Sequence, residues 1–296
     1  MDSALIRTPL DASIMSIRLI AIDLDGTLLG PDGVSEHDLA AVEDARAAGI
    51  EIVVATGRSW LESGEALDRI GRQGVMIGAG GALLHDAATG RTLDRSIVHE
   101  EVLRTVSEGL LRDGHVVHLL QDHEGAGFDY WMIGWTHLHE ASRWWFQRHG
   151  VTARWVSNLE QVEDLQHTVR VGTTADGDDL AELADELREQ LGDRVVLQAW
   201  PAVVAADSPA RTIHLLEAFD REVDKWTMLG RHAGARGIEA SEIAAIGDGL
   251  NDIEMVGGAG LGIAMGGADE RVRAVADWET SAPGQGVGDA IRRIID

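Results

Sequence analysis

Short apolar segments alternate with helical segments at the start of this 296-residue chain. The apolar run at residues 19–22 predicts a strand buried on both faces, and residues 50–55 and 75–77 predict two more strands. Helices are predicted between them over residues 35–48 and 59–70, from their capping and ending residues. This order indicates an open parallel sheet, in which chemistry takes place at the carboxyl ends of the strands.

The last quarter of the chain has the same pattern. Helices are predicted over residues 225–235 and 269–276, and strands over residues 242–246 and 261–265. Because the pattern matches that of the first third, we expect both ends of the chain to fold together as one sheet unit.

The middle of the chain, from about residue 83 to residue 217, has a different character. Amphipathic helices are predicted over residues 99–113 and 178–191, and strands over residues 115–120 and 168–172. Six of the nine tryptophans also lie in this part of the chain. We therefore expect a separate α+β module that is inserted into the sheet unit.

The predicted fold class is α/β, a Rossmann-like parallel sheet core with an inserted α+β module. We expect the core to comprise residues 15–83 and 218–296, and the inserted module to comprise residues 84–217. Residues 1–14 precede the first strand and are predicted to be a disordered extension.

The composition argues against several classes of protein. A formal net charge of −25 disfavours a nucleic-acid-binding surface, and the lack of cysteine excludes disulfides and thiolate chemistry. There is no uninterrupted apolar run of about 18 residues, so we expect no membrane span. The first 14 residues lack the pattern of a secretory signal, and we expect a cytoplasmic protein.

Two carboxylates follow the first predicted strand, in the sequence DLDGT at residues 23–27. In extended backbone, residues two apart point the same way, so Asp23 and Asp25 can face one site. One carboxylate can attack a substrate or bind a metal while the other moves a proton. Gly26 permits a sharp turn and Thr27 adds a hydroxyl. The alternative is a simple Asp-Gly turn, which is common after strands.

The second predicted strand is also followed by polar groups, Thr56, Gly57 and Arg58. Thr56 can bond a phosphoryl oxygen, and the start of the next helix offers free N–H groups to an anion. Capping of that helix by Thr56 is an equally good interpretation. By itself this segment does not indicate a site.

Near the end of the chain, Asp248, Asn251 and Asp252 follow another predicted strand between glycines. They offer the hard oxygen ligands that Mg²⁺ prefers, although a polar turn capping the next helix is the alternative. Lys225 is the single lysine among 25 basic residues. A chain that otherwise uses arginine, yet has lysine once, suggests a position that needs a compact ammonium.

Together these segments resemble the four-motif signature of the haloacid dehalogenase (HAD) superfamily, in their order and in their local context. The opening hydrophobic-Asp-x-Asp-Gly-Thr-Leu pattern and the closing Gly-Asp-x-x-Asn-Asp pattern are each distinctive. The resemblance covers nearly the whole predicted sheet unit. The long insert between Thr56 and Lys225 resembles the C2-type cap of the Cof-like (type IIB) subgroup, which includes sugar-phosphate phosphatases.

The resemblance implies a role for each matching residue. Asp23 is implied to be the nucleophile and a ligand of Mg²⁺. Asp25 is implied to be the general acid and then the base, and to bind the metal through its carbonyl, while Asp248 completes the metal site. The other positions are implied to bind phosphate (Thr56, Lys225 and Asn251) or to support the site (Gly26, Thr27, Gly57, Arg58 and Asp252).

The resulting hypothesis is a Mg²⁺-dependent phosphatase that hydrolyses a small phosphorylated metabolite, a sugar or polyol phosphate, through a phospho-aspartate. The alternatives are a phosphomutase of the same fold and a non-catalytic protein that binds a phosphorylated metabolite. Asp25 favours a phosphatase over a dehalogenase, because an alkoxide must be protonated whereas a halide leaves unprotonated. Monomer and homodimer are both compatible with the sequence.

Two positions depart from the family's pattern. Gly80, in the pair Gly80-Gly81, and Gly267 stand where related proteins often carry asparagine. Both would lie near the edge of the site, so the departures concern contacts with the substrate rather than the core chemistry.

Histidines and tryptophans of the insert are further candidates for substrate contacts. His118 and His123 could touch a substrate, but we expect them to be surface histidines. Four tryptophans could form a sugar platform or a dimer interface, but we expect them mostly in the core. They are Trp131, Trp135, Trp144 and Trp145.

Overall fold

The computed structural model describes residues 16–135, 137–201 and 213–296, so the extension predicted for residues 1–14 lies outside the described residues. The strands are β1 Leu19–Ile22, β2 Glu51–Ala55, β3 Val75–Gly78, β4 Leu83–Asp86, β5 Thr92–Arg95, β6 Val117–Gln121, β7 Tyr130–Ile133, β8 Ala153–Val156, β9 Thr168–Asp176, β10 Val195–Pro201, β11 Ile213–Asp220, β12 Ile243–Gly247, β13 Leu261–Ala264 and β14 Trp278–Glu279. The α-helices are α1 Glu36–Ala47, α2 Gly64–Arg69, α3 Glu100–Arg112, α4 His123–Ala126, α5 Glu140–His149, α6 Gly177–Leu191, α7 Lys225–Ala235, α8 Ile253–Gly258, α9 Glu270–Val275 and α10 Gly286–Ile295.

The larger of two sheets has eight strands in the order β14-β13-β12-β1-β2-β3-β4-β5. The strands from β14 to β3 are parallel, and β4 and β5 extend the sheet in antiparallel fashion. β1 lies between β2 and β12, and Leu19 pairs with Glu51 on one side and with Ile243 on the other. Both ends of the chain therefore build one parallel sheet, as the sequence predicts.

Helices cover both faces of this sheet. Because side chains alternate along a strand, Ile20 and Ile22 of β1 pack on one face with Ile291 of α10. Leu19 packs on the opposite face with Leu229 of α7. A strand that is buried on both sides must be apolar at every position, which explains the unbroken apolar run of β1.

The smaller sheet has six strands in the order β10-β11-β9-β6-β7-β8. Helices α3 and α6 cover one of its faces, where Leu110 and Leu187 share an apolar core. The other face lies over the carboxyl end of β1, since Arg170 and Glu217 line the same cavity as Asp23. The predicted α/β core with an inserted α+β module is confirmed.

Most predicted elements occur within a few residues of their expected ends, and α7 begins at Lys225 as predicted. The helix predicted over residues 59–70 is wrong at its start, because α2 begins at Gly64. Ser59 N donates to the Glu62 carboxylate at 2.8 Å, and Glu62 N donates to Ser59 Oγ at 3.3 Å. These reciprocal bonds hold the preceding segment in turns.

The larger sheet continues past residue 83 through β4 and β5, and β11 of the smaller sheet ends at Asp220. The predicted division at residues 83 and 218 thus falls inside β4 and β11, and the division into domains stays a prediction. Residues 96–220 are called the cap below, and the rest of the described chain the core. Within the described ranges, no helix combines the length and apolar character that a membrane span needs.

Candidate active site

Asp23 and Lys225 meet directly after β1. Lys225 is the first residue of α7, which is capped by the side chain of Asp224. Its Nζ lies 2.6 Å from Asp23 Oδ1 and 2.7 Å from Asp252 Oδ1. The side chain of Lys225 is 0% exposed, so its ammonium is held by carboxylates rather than by water.

The turn after β1 brings Thr27 against Asp248. The Thr27 hydroxyl donates to Asp248 Oδ1 at 2.8 Å. Gly26 has a φ of +84°, and a Cβ atom at this position would lie 2.3 Å from Asp248 Oδ2. Only glycine adopts this positive φ readily and has no Cβ atom to clash with Asp248. This is the physical reason for the Asp-Gly sequence here.

Asp252 is fully buried, and both of its carboxylate oxygens have donors. Oδ1 accepts from Lys225, while Oδ2 accepts from the N–H groups of Asp248 at 3.1 Å and Gly249 at 3.0 Å. Asp252 therefore fixes the turn that carries Asp248 and orients the ammonium of Lys225.

The electrostatics of this cluster are dominated by burial. Burial raises the pKa of Asp23 well above its ordinary value, and Asp252 raises it further, against the lowering effect of Lys225. Burial likewise raises the pKa of Asp248. For Lys225, burial lowers the pKa, but attraction to Asp23 and Asp252 outweighs it, and the pKa lies above its ordinary value. One ammonium thus faces several carboxylates, and a further cation would offset the excess negative charge.

The same carboxylates have the arrangement of a metal site. Asp23, Asp248 and Asp252 each offer one oxygen, and these atoms lie within 4.8 Å of one another. Hard anionic oxygens are the ligands that divalent cations such as Mg²⁺ prefer. Since both oxygens of Asp252 already accept hydrogen bonds, Asp23 and Asp248 are the better placed ligands. The residues present fit a bound metal ion.

The segment after β2 lies beside this cluster. Thr56 N donates to Ile77 O at 2.9 Å, and Thr56 Oγ1 accepts from Arg58 N at 3.2 Å. The Arg58 guanidinium forms a two-pronged ion pair with Asp25, in which Nε lies 2.8 Å from Oδ2. The second carboxylate of the Asp23 motif is thus held next to the Thr56 loop.

A cavity of about 240 Å³ lies between core and cap. On the core side it is lined by Asp23, Asp25, Arg58, Glu62 and Asn251. The cap side includes His118, Tyr130, Trp145, Phe146, Arg170, Thr173, Thr174 and Glu217. Both carboxylates of the Asp23 motif therefore open on a space that the cap closes.

A polar bond across the cavity joins cap and core, and further bonds within the cap hold its lining. Trp145 Nε1 of α5 donates to Glu62 Oε1 of the core at 2.7 Å. Arg170 of β9 lies 2.8 Å from Glu217 Oε1, and its second terminal nitrogen donates to the Tyr130 hydroxyl at 2.9 Å. The cap side chains that line the cavity are thus held in fixed positions.

The structure brings the predicted positions together at one edge of the larger sheet. The group that meets after β1, β2 and β12 comprises Asp23, Asp25, Gly26, Thr27, Thr56, Gly57, Arg58, Lys225, Asp248, Asn251 and Asp252. Their roles stay predictions. Glu62 and Arg170 were not predicted as site residues, because neither lies in a recognisable motif.

The expectation that His118 is a surface histidine is wrong. His118 is only 9% exposed and lines the cavity, because β6 lies inside the cap sheet. Trp131 is buried as expected, but Trp135 is 85% exposed, so the prediction that it lies in the core is wrong. His123 is exposed, as expected. Trp145 lines the cavity.

The sequence profile of the haloacid dehalogenase-like hydrolases matches residues 20–291 of this chain. The chain belongs to this family. The predicted resemblance to the HAD superfamily and its Cof-like phosphatases is confirmed, and the chain is a hydrolase.

Solved structures of haloacid dehalogenase-like hydrolases have the same fold. One from Bacteroides thetaiotaomicron superposes with a TM-score of 0.75 at 22% identity, covering 94% of this chain and 100% of that chain. A HAD subclass IIB sugar phosphatase superposes with a TM-score of 0.72 at 20% identity, covering 93% of this chain and 98% of that chain. The predicted fold class, a HAD core with an inserted cap, is confirmed.

Relatives by sequence are named as phosphatases. The 5-amino-6-(5-phospho-D-ribitylamino)uracil phosphatase YcsE of Bacillus subtilis is 26% identical over 280 residues, which cover 94% of this chain and 96% of the relative. An HMP-PP phosphatase of Cronobacter sakazakii is 29% identical over 258 residues, which cover 85% of each. This haloacid dehalogenase-like hydrolase therefore aligns with whole phosphatases rather than with fragments of them.

Proposed function

We propose that the protein is a Mg²⁺-dependent phosphatase that hydrolyses a small phosphorylated metabolite through a phospho-aspartate on Asp23. The observation that carries this proposal is the meeting of Asp23 with Lys225 and Asp248 at the floor of the cavity, with Asp25 beside them. A buried carboxylate nucleophile, a second carboxylate, an ammonium and a potential metal site are the groups that phosphoryl transfer needs.

In the proposed first step, an oxygen of Asp23 attacks phosphorus and the bond from phosphorus to the leaving oxygen breaks. Asp25 gives its proton to that oxygen, and the alcohol leaves. Asp25 then takes a proton from water, whose oxygen attacks the phosphorus and releases phosphate and the free Asp23 carboxylate. The Arg58 guanidinium holds both oxygens of Asp25 at the cavity wall, and this ion pair opens when Asp25 carries the proton.

Attack by a carboxylate on a phosphate dianion is repulsive unless positive charge offsets it. Lys225 supplies one positive charge next to Asp23, and Thr56 and Asn251 supply hydrogen-bond donors to the phosphoryl oxygens. Asp23, the carbonyl of Asp25 and Asp248 would hold Mg²⁺, and Asp252 would orient Lys225 and the Asp248 turn. When bound, the metal ion neutralises charge on the transferring group.

The size of the cavity limits the substrate. A space of about 240 Å³ fits a small leaving group, and the Arg170, Thr173 and Glu217 side chains in its lining can bond the hydroxyls of a sugar or polyol. The relatives named above act on small phosphorylated compounds, which supports the same class for this protein. A cytoplasmic location agrees with such metabolites.

The test is phosphate release from p-nitrophenyl phosphate and from a panel of phosphorylated sugars and polyols. We expect activity that requires Mg²⁺, and a loss of about a thousandfold or more in Asp23→Asn. Asp32→Asn, a change of an exposed aspartate outside the site, is the matched control and should keep full activity. Full activity of Asp23→Asn, or activity in excess EDTA, would contradict the mechanism. Conversion of a sugar phosphate into its isomer without phosphate release would favour a phosphomutase.

A further inference from the structure

Three consecutive carbonyl groups in the loop after β2 are held by different partners. The carbonyl of Thr56 accepts from Gly80 N at 3.0 Å, and that of Arg58 accepts from Ala79 N at 2.8 Å, both within the core. The carbonyl between them, that of Gly57, accepts from Arg170 of the cap at 3.0 Å. The core therefore fixes the two ends of this loop, and the cap fixes its middle.

The peptide unit between Gly57 and Arg58 is the one that Arg170 holds. Its carbonyl accepts from Arg170, and its N–H donates to Thr56 Oγ1 at 3.2 Å. Because a peptide unit is planar, turning its carbonyl also turns its N–H. The direction of the Thr56 hydroxyl thus depends on the bond between Gly57 and Arg170. With its oxygen accepting from Arg58 N, Thr56 keeps its own hydrogen for an acceptor in the site.

Arg170 is itself held rigidly. Its side chain is 11% exposed, and it is paired with Glu217 on β11 and bonded to the Tyr130 hydroxyl on β7. These two cap partners aim the planar guanidinium at the core. A lysine in this position could not reach all three acceptors, because an ammonium lacks the flat, forked arrangement of donors.

We propose that Arg170 is a positioning residue of the reaction, and that the closed cap completes the phosphate-binding loop through the bond from Arg170 to the Gly57 carbonyl. This inference rests on the proposed phosphatase function, in which Thr56 binds a phosphoryl oxygen. Arg170 acts through the loop and makes no contact with the leaving group in this role. The cap thereby contributes to the chemical step as well as to the choice of substrate.

Kinetics of Arg170→Lys and Arg170→Met distinguish positioning from contact with the leaving group. We expect kcat to fall by a similar factor, roughly ten- to a hundredfold, for both acetyl phosphate and p-nitrophenyl phosphate, with little change in KM. Arg154→Gln, which changes a cap arginine stacked on Phe128 outside the cavity, should leave both constants unchanged. A loss confined to p-nitrophenyl phosphate would overturn the proposal, since it would indicate a leaving-group contact.

Amide hydrogen exchange tests the same bond without substrate or metal. In Arg170→Lys and Arg170→Met, the Arg58 amide should exchange faster than in the wild type, while Arg154→Gln should exchange at the wild-type rate. Arg170→Lys keeps a positive charge next to Glu217, so exchange can be measured in this variant if Arg170→Met does not fold. Unchanged exchange at Arg58 in a folded variant would overturn the proposal. A wild-type protein that releases no phosphate would instead contradict the proposed function, and the exchange rates would then show only whether Arg170 holds the Gly57 loop.

Discussion

The ammonium of Lys225 stabilises the core as well as the proposed reaction. It is fully buried, and it lies within hydrogen-bonding distance of Asp23 and Asp252. Arginine, which this chain uses at every other lysine-type position, has a larger, planar guanidinium in place of the compact ammonium that contacts both carboxylates here. The single lysine therefore occurs where the geometry requires a compact cation.

Replacing Lys225 with methionine should strongly destabilise the protein when magnesium is chelated. The change leaves two buried carboxylates without their cation, and we expect the free energy of unfolding to fall by about 3–5 kcal/mol. Urea unfolding measures this. Arg231→Met, a change at an exposed arginine on the same helix, is the control and should stay within about 0.5 kcal/mol of the wild type. Equal stability of the two variants would contradict the structural role of Lys225.

His118 should make the stability of the cap depend on pH. Burial, together with the nearby charge of Arg170 and with His139, lowers the pKa of His118 to about 3. The unfolded chain takes up this proton near pH 6.5, so the stabilisation is complete above that pH and is lost as pH falls towards 3. Between pH 7 and pH 5 the loss should be about 2 kcal/mol. In urea unfolding, the free energy of unfolding of His118→Asn should fall correspondingly less between pH 7 and pH 5. An unchanged dependence of this free energy on pH would contradict the lowered pKa of His118.

The two glycines that depart from the family's pattern have a common backbone conformation. Gly80 has a φ of +67° and Gly267 a φ of +89°, both in the left-handed region. Asparagine is one of the few other residues that adopt this region readily. Glycine in place of asparagine therefore keeps the turn at both positions, but a Cβ atom would meet nothing at Gly267, whereas at Gly80 it would lie 3.2 Å from the Phe219 ring.

Helix α5 also joins the cap to the segment after Thr56. Its residue Trp145 bonds Glu62, and the ring centroid lies 5.0 Å from the guanidinium carbon of Arg58. Arg148 of the same helix pairs with Glu65 on α2 at 3.0 Å. Two side chains of this short helix thus make polar contacts with the core.

Trp145→Phe should weaken the docking of α5 while keeping an aromatic ring over Arg58. The buried Glu62 carboxylate would lose a donor, at a cost of about 1–3 kcal/mol. Since the docked cap is needed for both substrate and transition state, we expect KM to rise roughly tenfold with kcat nearly unchanged. Trp144→Phe, one residue away and outside the cavity lining, is the matched control. Equal KM values for the two variants would contradict the role of α5.

The elements of the core could be predicted because their signals are local. The Ser35 side chain accepts from Asp38 N and caps the start of α1, and every residue of β1 is apolar and buried.

The cavity wall could not be predicted from such local signals. His118 reaches it because β6 pairs with β9, which places His118 opposite Gly172. Period-two alternation gives the two faces of a strand, but only long-range packing decides which face meets the core.

At the scale of the whole molecule, the net charge of −25 opposes the binding of an anionic substrate. Salt screens this repulsion, because the Debye length shortens to about 10 Å at 0.1 M. With Mg²⁺ kept saturating, kcat/KM for p-nitrophenyl phosphate should rise on the order of twofold between 0.02 and 0.15 M NaCl. Sucrose at matched osmolality is the control and should have no such effect. A decrease with salt would mean that the local field of the site outweighs the charge of the whole surface.

The central place of β1 also affects how the chain is made. One edge of β1 pairs with β2, which leaves the ribosome soon afterwards, but the other edge pairs with β12, which begins only at Ile243. At translation rates of roughly 5–20 residues per second, that edge waits on the order of ten to forty seconds for its partner. During this interval the nascent chain presents an apolar strand with unpaired backbone groups, to which chaperones or other chains can bind. The insertion that provides the cap therefore lengthens the period in which the growing polypeptide is exposed to aggregation.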